Sequence, residues 1–245
     1  MGILEGKIIL VSKATEFVGA ETCRSCLAEG ATVIAQDPTF SDPATKSAFE
    51  RDLPELELTA SVIPDEIMTD IIDSYRRIDG LVPNDGFPAI RSSVENADPA
   101  DMRAGLEAMV VEPFQLIGAA VKHMKSQGYG RIVMATSAAP LRGVPHYGMY
   151  VTGRGAQNAM VITLARELAK NNITVNAVAP NFVESPSYFS ADLLEDETTI
   201  SKILSQIPMG RIGKPQEVSD LIAFFLSDKA GFTTGHVVPV AGGWA

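Results

Sequence analysis

Ser137, Tyr150 and Arg154 are the residues of this chain whose types and spacing point most directly to chemistry. Tyr150 follows Ser137 by thirteen positions, and Arg154 follows Tyr150 by four. Positions i and i+4 share one face of a helix, so a helix through this segment sets a guanidinium beside a phenol. A fixed positive charge there is expected to lower the pKa of the phenol and hold it partly ionised. That makes Tyr150 a candidate general base. The Ser137 hydroxyl would hold the same substrate oxygen and keep it aimed at the phenol. Arg keeps its proton in a protein, whereas Lys can relay one.

Those three side chains need elements to place them. Lys7 to Ser12 is a short apolar run of strand length, followed by a helical pattern from Gly19 to about Glu29 and a second strand, Ala31 to Ala35, with Asp37 just past its end. Strand, helix and strand in this order form the opening unit of a doubly wound sheet. The alternation continues with a helix from Pro64 to Arg77, a strand from Asp79 to Val82 and a long helix from Pro99 to Gln127. A strand from Arg131 to Ala135, a helix from Tyr150 to Asn171 and a strand from Thr174 to Ala179 follow. Pro215 opens a last helix, to about Ser227, and Val237 to Val240 is the last strand. The fold class is therefore α/β, a single-domain Rossmann-like doubly wound parallel sheet over residues 1–245. Asn181 to Ala191 leaves the end of a strand, where open α/β sheets bind their ligands; it is either a substrate lid or a plain surface loop.

Composition narrows the partners. Apolar residues are 46% and charged ones 20%, as in a globular domain. A net charge of −10 argues against nucleic acid or an anionic membrane surface. No apolar run approaches the ~20 residues that span a bilayer, and the first residues do not read as a signal peptide; the cytoplasm is the expected location. Cys23 and Cys26 fall on one helix and read as packed small apolar groups. His123, His146 and His236 have no clustered ligands, so no metal is expected, and no Gly-x-Ser-x-Gly elbow makes a hydrolase of His146.

The first strand-to-helix turn should show whether a dinucleotide binds, because glycines there let backbone N–H groups approach a pyrophosphate. Ser followed by Tyr-x-x-x-Lys resembles the active-site pattern of the short-chain dehydrogenases/reductases, here with Arg for Lys. Their turn reads Thr-Gly-x-x-x-Gly-x-Gly; this chain reads Ser12-Lys-Ala-Thr-Glu-Phe-Val-Gly19. Lys13 and Phe17 replace two glycines, only Gly19 remains, and Glu16 adds a negative charge. Asp37, which would bind the adenosine ribose in a dehydrogenase, is then a relic or a surface turn.

The hydroxyl residue, Phe17 and Gly19, together with Ser137, Tyr150, Arg154 and Pro180-Asn-Phe182, resemble the halohydrin dehalogenases, a cofactor-independent branch of that superfamily. Supporting stretches are Leu81 to Phe87, Val175 to Val183 and Pro208 to Val218. The resemblance implies no cofactor, closure of vicinal haloalcohols to epoxides with loss of halide, and the reverse opening by halide, azide, cyanide or nitrite. It places the substrate and halide pocket at Phe17, Phe87, Pro180, Asn181, Phe182 and Val183, with N–H donors at Phe182 or Val183. It also implies a homotetramer, with which the apolar runs Ile222 to Leu226 and Val237 to Val240 are compatible. Met109 stands where the dehydrogenases carry a proton-relay Asn. Asp85 is either a proton path behind Arg154 or a structural carboxylate. Trp244 is a hydrophobic plug or reaches a neighbouring subunit. Two rivals stand beside this reading: an NAD(P)-dependent dehydrogenase with a degenerate loop, and a non-catalytic binding protein on the same fold.

Overall fold

The computed structural model describes residues 2–185 and 197–245. Seven strands form one sheet: β1 (Ile8–Val11), β2 (Thr32–Gln36), β3 (Glu57–Thr59), β4 (Gly80–Val82), β5 (Gly130–Ala135), β6 (Ile173–Pro180) and β7 (Val237–Val240). Their order is β3-β2-β1-β4-β5-β6-β7, and every pairing is parallel. A parallel sheet covered on both faces needs strands that are apolar throughout; β1 and β5 are buried at every position.

The helices are α1 (Gly19–Ala28), α2 (Pro43–Asp52), α3 (Pro64–Tyr75), α4 (Pro99–Leu106), α5 (Glu112–Gln127), the short α6 (Ala139–Arg142), α7 (Gly148–Leu168), α8 (Glu197–Leu204) and α9 (Pro215–Leu226). Alternate strand residues feed two cores. Ile9, Val11, Val133 and Ala135 meet α1 and α9, where Cys23 and Cys26 are also buried as free thiols. Ile8, Leu10, Ile132 and Met134 meet α3, α5 and α7.

The long central helix is interrupted by a π-helical turn over Glu107–Val111. It has the length and mean apolarity of a membrane span, and burial of Leu116, Ile117, Ala120 and Met124 in the core accounts for that composition. Two elements escape the sequence pattern. α2 covers a stretch to which the sequence pattern assigns no element, although the Asp42 side chain accepts from the N–H groups of Ala44 and Thr45 and Pro43 occupies the first turn. β3 is three residues at the sheet edge, too short to show a period.

Chain order reverses between β1 and β4, and ligands of such sheets bind beyond the carboxyl ends of the strands at that switch. The loops leaving β1, β4, β5 and β6 carry Phe17, Asp85, Ser137 and Asn181–Val183 to that end.

Candidate active site

The loop after β1 is held in an uncommon shape. Lys13 and Phe17 both have left-handed backbones, φ 48° and 46°, a region glycine enters freely and other residues enter at a cost. The glycine-type backbone is thus kept with side chains added. Asn84 fixes it, donating from Nδ2 to the carbonyls of Lys13 (3.0 Å) and Glu16 (2.8 Å). Asp37 accepts from Thr15 N (3.0 Å) and Thr15 Oγ1 (2.7 Å) with one oxygen, and from Thr39 with the other. These bonds hold the Asp37 carboxyl below the usual carboxylate range, against the burial that would raise it. Asp37 is therefore not a surface turn: it is buried and braces the loop. Gly19 survives for steric reasons, since a Cβ there would lie 2.7 Å from Ala14 O and 2.8 Å from Asn84 Nδ2.

α7 carries the phenol and the guanidinium. Its buried face runs Gly153, Arg154, Gln157, Asn158, Val161, Leu164, Ala165 and Leu168, a helical stripe whose first turns are polar. Arg154 is fully buried. Its Nε donates to Tyr150 Oη at 3.3 Å, and its Nη1 reaches Asp85 O (2.9 Å), Gln157 Oε1 (3.0 Å) and Ala135 O (3.2 Å). These last three acceptors are neutral oxygens. The guanidinium carbon lies 5.9 Å from the Phe17 ring centroid and 5.4 Å from that of Tyr150.

Ser137 follows β5, and its Oγ accepts from Ala139 N–H at 3.1 Å, which leaves the hydroxyl proton to donate elsewhere. Asp85 presents its carbonyl to Arg154 and its carboxyl to Ser12 Oγ (3.3 Å). Burial raises the Asp85 carboxyl to about 6, with Lys13 opposing the shift; Lys13 Nζ itself pairs with Glu112 at 3.4 Å.

A cavity of about 410 Å³ opens over these groups. It collects Phe17, Ser137, Tyr150, Pro180, Asn181, Phe182 and Val183, all expected from the sequence. Phe87 is elsewhere: it lines a smaller cavity behind Tyr150, with Asp101 and Met109. Met109 is buried against Gly153, where a Cβ would come within 2.4 Å of its Cε. Arg154 and Asp85 lie behind the cavity wall rather than in it.

Tyr147, Ile203, Gln206 and Trp244 also line the main cavity; Ile203 and Gln206 escaped the sequence reading, and Trp244, read there as a plug or as reaching a neighbouring subunit, is in its own chain's cavity wall. Trp244 is 8% exposed and meets Phe182 edge-to-face at 5.7 Å. Arg142 donates to the Trp244 carbonyl at 2.9 Å and lies over its ring. Trp244 thus packs into the cavity of its own chain. Of the run Ile222 to Leu226, Phe224 alone is exposed; the others are buried in the same chain's core. The segment 186–196, which holds most of the expected lid and the acidic run after it, lies outside the described residues. Among the described residues no group of three or more His, Cys, Asp or Glu could hold a metal.

A family model described as enoyl-(acyl carrier protein) reductase matches residues 14–245. The chain is 33% identical over 246 residues to a 3-oxoacyl-(acyl-carrier-protein) reductase of Thermotoga maritima, covering 98% of each protein. It is 27% identical to a 3alpha-hydroxysteroid dehydrogenase of Mediterraneibacter gnavus, covering 98% of this chain and 97% of that one. A solved structure described as a dehalogenation enzyme superposes with TM-score 0.96 and 42% identity, covering 99% of this chain and 100% of that one. A halohydrin dehalogenase bound to ethyl (2S)-oxiran-2-ylacetate superposes with TM-score 0.93 and 27% identity, covering 97% and 96%. By the family match the chain belongs to the enoyl-(acyl carrier protein) reductase family of the short-chain dehydrogenase/reductase superfamily, and its parallel seven-stranded sheet has the fold of that superfamily.

Proposed function

We propose that the protein is a cofactor-independent halohydrin dehalogenase, a carbon–halide lyase that closes vicinal haloalcohols to epoxides. The observation that carries this reading is Arg154 Nε donating to Tyr150 Oη behind a cavity whose wall includes the Phe17 ring. The loop that would cradle a dinucleotide fits one poorly. Lys13 and Phe17 put side chains where glycines would stand, and Asp37 is committed to Thr15 and Thr39. Likeness to two solved dehalogenases, one of them holding an epoxide, supports the same reading; the reductase names among the relatives support the dehydrogenase alternative.

In the reaction, the substrate hydroxyl donates its proton to the Tyr150 phenolate while Ser137 donates a hydrogen bond to the same oxygen. The oxygen attacks the neighbouring carbon, the carbon–halogen bond breaks with its electron pair, and halide leaves toward the Pro180-Asn181-Phe182-Val183 turn. Backbone N–H groups at Phe182 or Val183 serve as its donors, aimed at charge as it develops. Arg154 holds the Tyr150 oxygen through Nε, and the buried Asp85 behind Arg154 would assist proton traffic. Epoxide opening by halide, azide, cyanide or nitrite reverses these steps. The active assembly is a homotetramer, to which the exposed apolar residues Val111 and Phe114 on the central helix and Ile162 on α7 would contribute.

The test is halide release from a small vicinal haloalcohol with no nicotinamide present. Wild type should release halide and Tyr150→Phe should not. Saturable binding of NADH or NADPH without halide release would return the protein to the dehydrogenases.

A further inference from the structure

Gln157 occupies a position that packing alone does not explain. It lies three residues past Arg154 on the buried face of α7, where the stripe turns apolar a turn later, and it is fully buried. Its Oε1 accepts from Arg154 Nη1 at 3.0 Å, while its Nε2 has no hydrogen-bond partner among the described residues. A buried amide can rotate to exchange its oxygen and nitrogen. Here the exchange would set an N–H₂ group against a guanidinium that has only donors. The guanidinium therefore fixes the amide, and the unpaired donor is a costly feature retained at this place.

From these observations we infer that Gln157 is a positioning residue for the Tyr150–Arg154 pair: a neutral acceptor that fixes the guanidinium plane with Nε toward the phenol and leaves the positive charge undiminished. The neutrality matters as much as the hydrogen bond. A carboxylate at the same distance would hold Arg154 equally well and offset its field at Tyr150 Oη. The inference rests on the proposed role of Tyr150 as base, and it predicts that charge at position 157 is read out in the acidity of the phenol.

Other charged and titratable groups face this pair. Asp85 approaches from the loop after β4, Lys13 from the loop after β1 with its partner Glu112 at the head of α5, Asp101 from α4, and Tyr147 from the head of α7. All are common to wild type and variants, so a difference between them reports position 157.

The experiment compares wild type with Gln157→Glu and Gln157→Met, using the pH profile of halide release and an ultraviolet tyrosinate titration without substrate, each referenced to Tyr150→Phe. Gln157→Glu should move both the acid limb of the rate profile and the Tyr150 tyrosinate signal to higher pH by about one unit or more. Gln157→Met, of similar volume and without the acceptor, should lower kcat by about ten- to a hundredfold with KM little changed. An unshifted tyrosinate signal in a folded Gln157→Glu protein would overturn the inference. If Gln157→Glu fails to fold, an unaltered kcat in Gln157→Met would overturn it instead. Absence of halide release by wild type would defeat the dehalogenase reading alone, because the tyrosinate titration needs no turnover.

Discussion

Among the described residues Tyr129 and Tyr150 lie beside cations, and their hydroxyls meet different partners. Tyr129, just before β5, has Lys7 Nζ and the Arg131 guanidinium each 4.2 Å from its ring centroid. Its hydroxyl donates to Asp228 at 2.9 Å, and both cations also pair with Asp228, at 3.0 and 3.5 Å. Burial is the largest cause that lifts the Tyr129 phenol above its ordinary value, and the Asp228 hydrogen bond adds to it. At Tyr150 the phenol oxygen instead accepts from Arg154 Nε, and the recorded acceptors of Nη1 are two backbone carbonyls and an amide. On the proposed function the Tyr150 pairing serves a base, whereas the Tyr129 pairing is tied to a carboxylate at the other end of the sheet.

Substitutions can break this contrast, and the largest effect is expected at the base. Tyr150→Phe should lower halide release by about 10³-fold or more, whereas Tyr129→Phe should leave it unchanged and lower only Tm. Ser137→Ala removes the hydrogen bond to the substrate oxygen and should cost about 10²–10³ in kcat, measured with circular dichroism to confirm that the fold persists although Ala139 N–H loses its acceptor. Arg154→Met should push the acid limb of the remaining activity to higher pH. It should also lower Tm, since Asp85 O, Ala135 O and Gln157 Oε1 would lose a shared donor.

Two smaller effects sharpen the picture. The Asp85 carboxyl is raised by burial to about 6 from 3.8, so its neutral form is the one the fold prefers. Stability from this group is fully present below about pH 4 and is lost as pH rises through about 6. Asp85→Asn should therefore gain Tm relative to wild type above about pH 6 and lose that advantage below about pH 4, in paired thermal melts. Trp244, the one Trp of the chain, lines the cavity. Its fluorescence should be quenched saturably by bromide, and Asn181→Ala should weaken that binding.

Most of the sheet was legible because buried parallel strands are continuous apolar runs, as at Ile8–Val11 and Arg131–Ala135. The nearness of Tyr150 to Arg154, and of both Ser137 and Tyr150 to one cavity, was legible because a fixed spacing survives in sequence. β3 was not, being a three-residue edge strand, and α2 was missed although Asp42-Pro43 is a helix-start signal. Tyr147, Gln206 and Trp244 come from separate elements and meet only in the folded chain. Gln157 did leave a trace: it is a polar residue at an apolar position of the α7 stripe. The surface-turn reading of Asp37 failed because its four hydrogen bonds to Thr15 and Thr39 depend on the loop shape.

The most direct test of the contrast between the two phenols is halide release from a small vicinal haloalcohol, without nicotinamide, by wild type, Tyr150→Phe and Tyr129→Phe side by side. The account predicts that release is lost in Tyr150→Phe and retained in Tyr129→Phe. Release retained by a folded Tyr150→Phe protein would contradict it, since the phenol facing Arg154 would then not be the base.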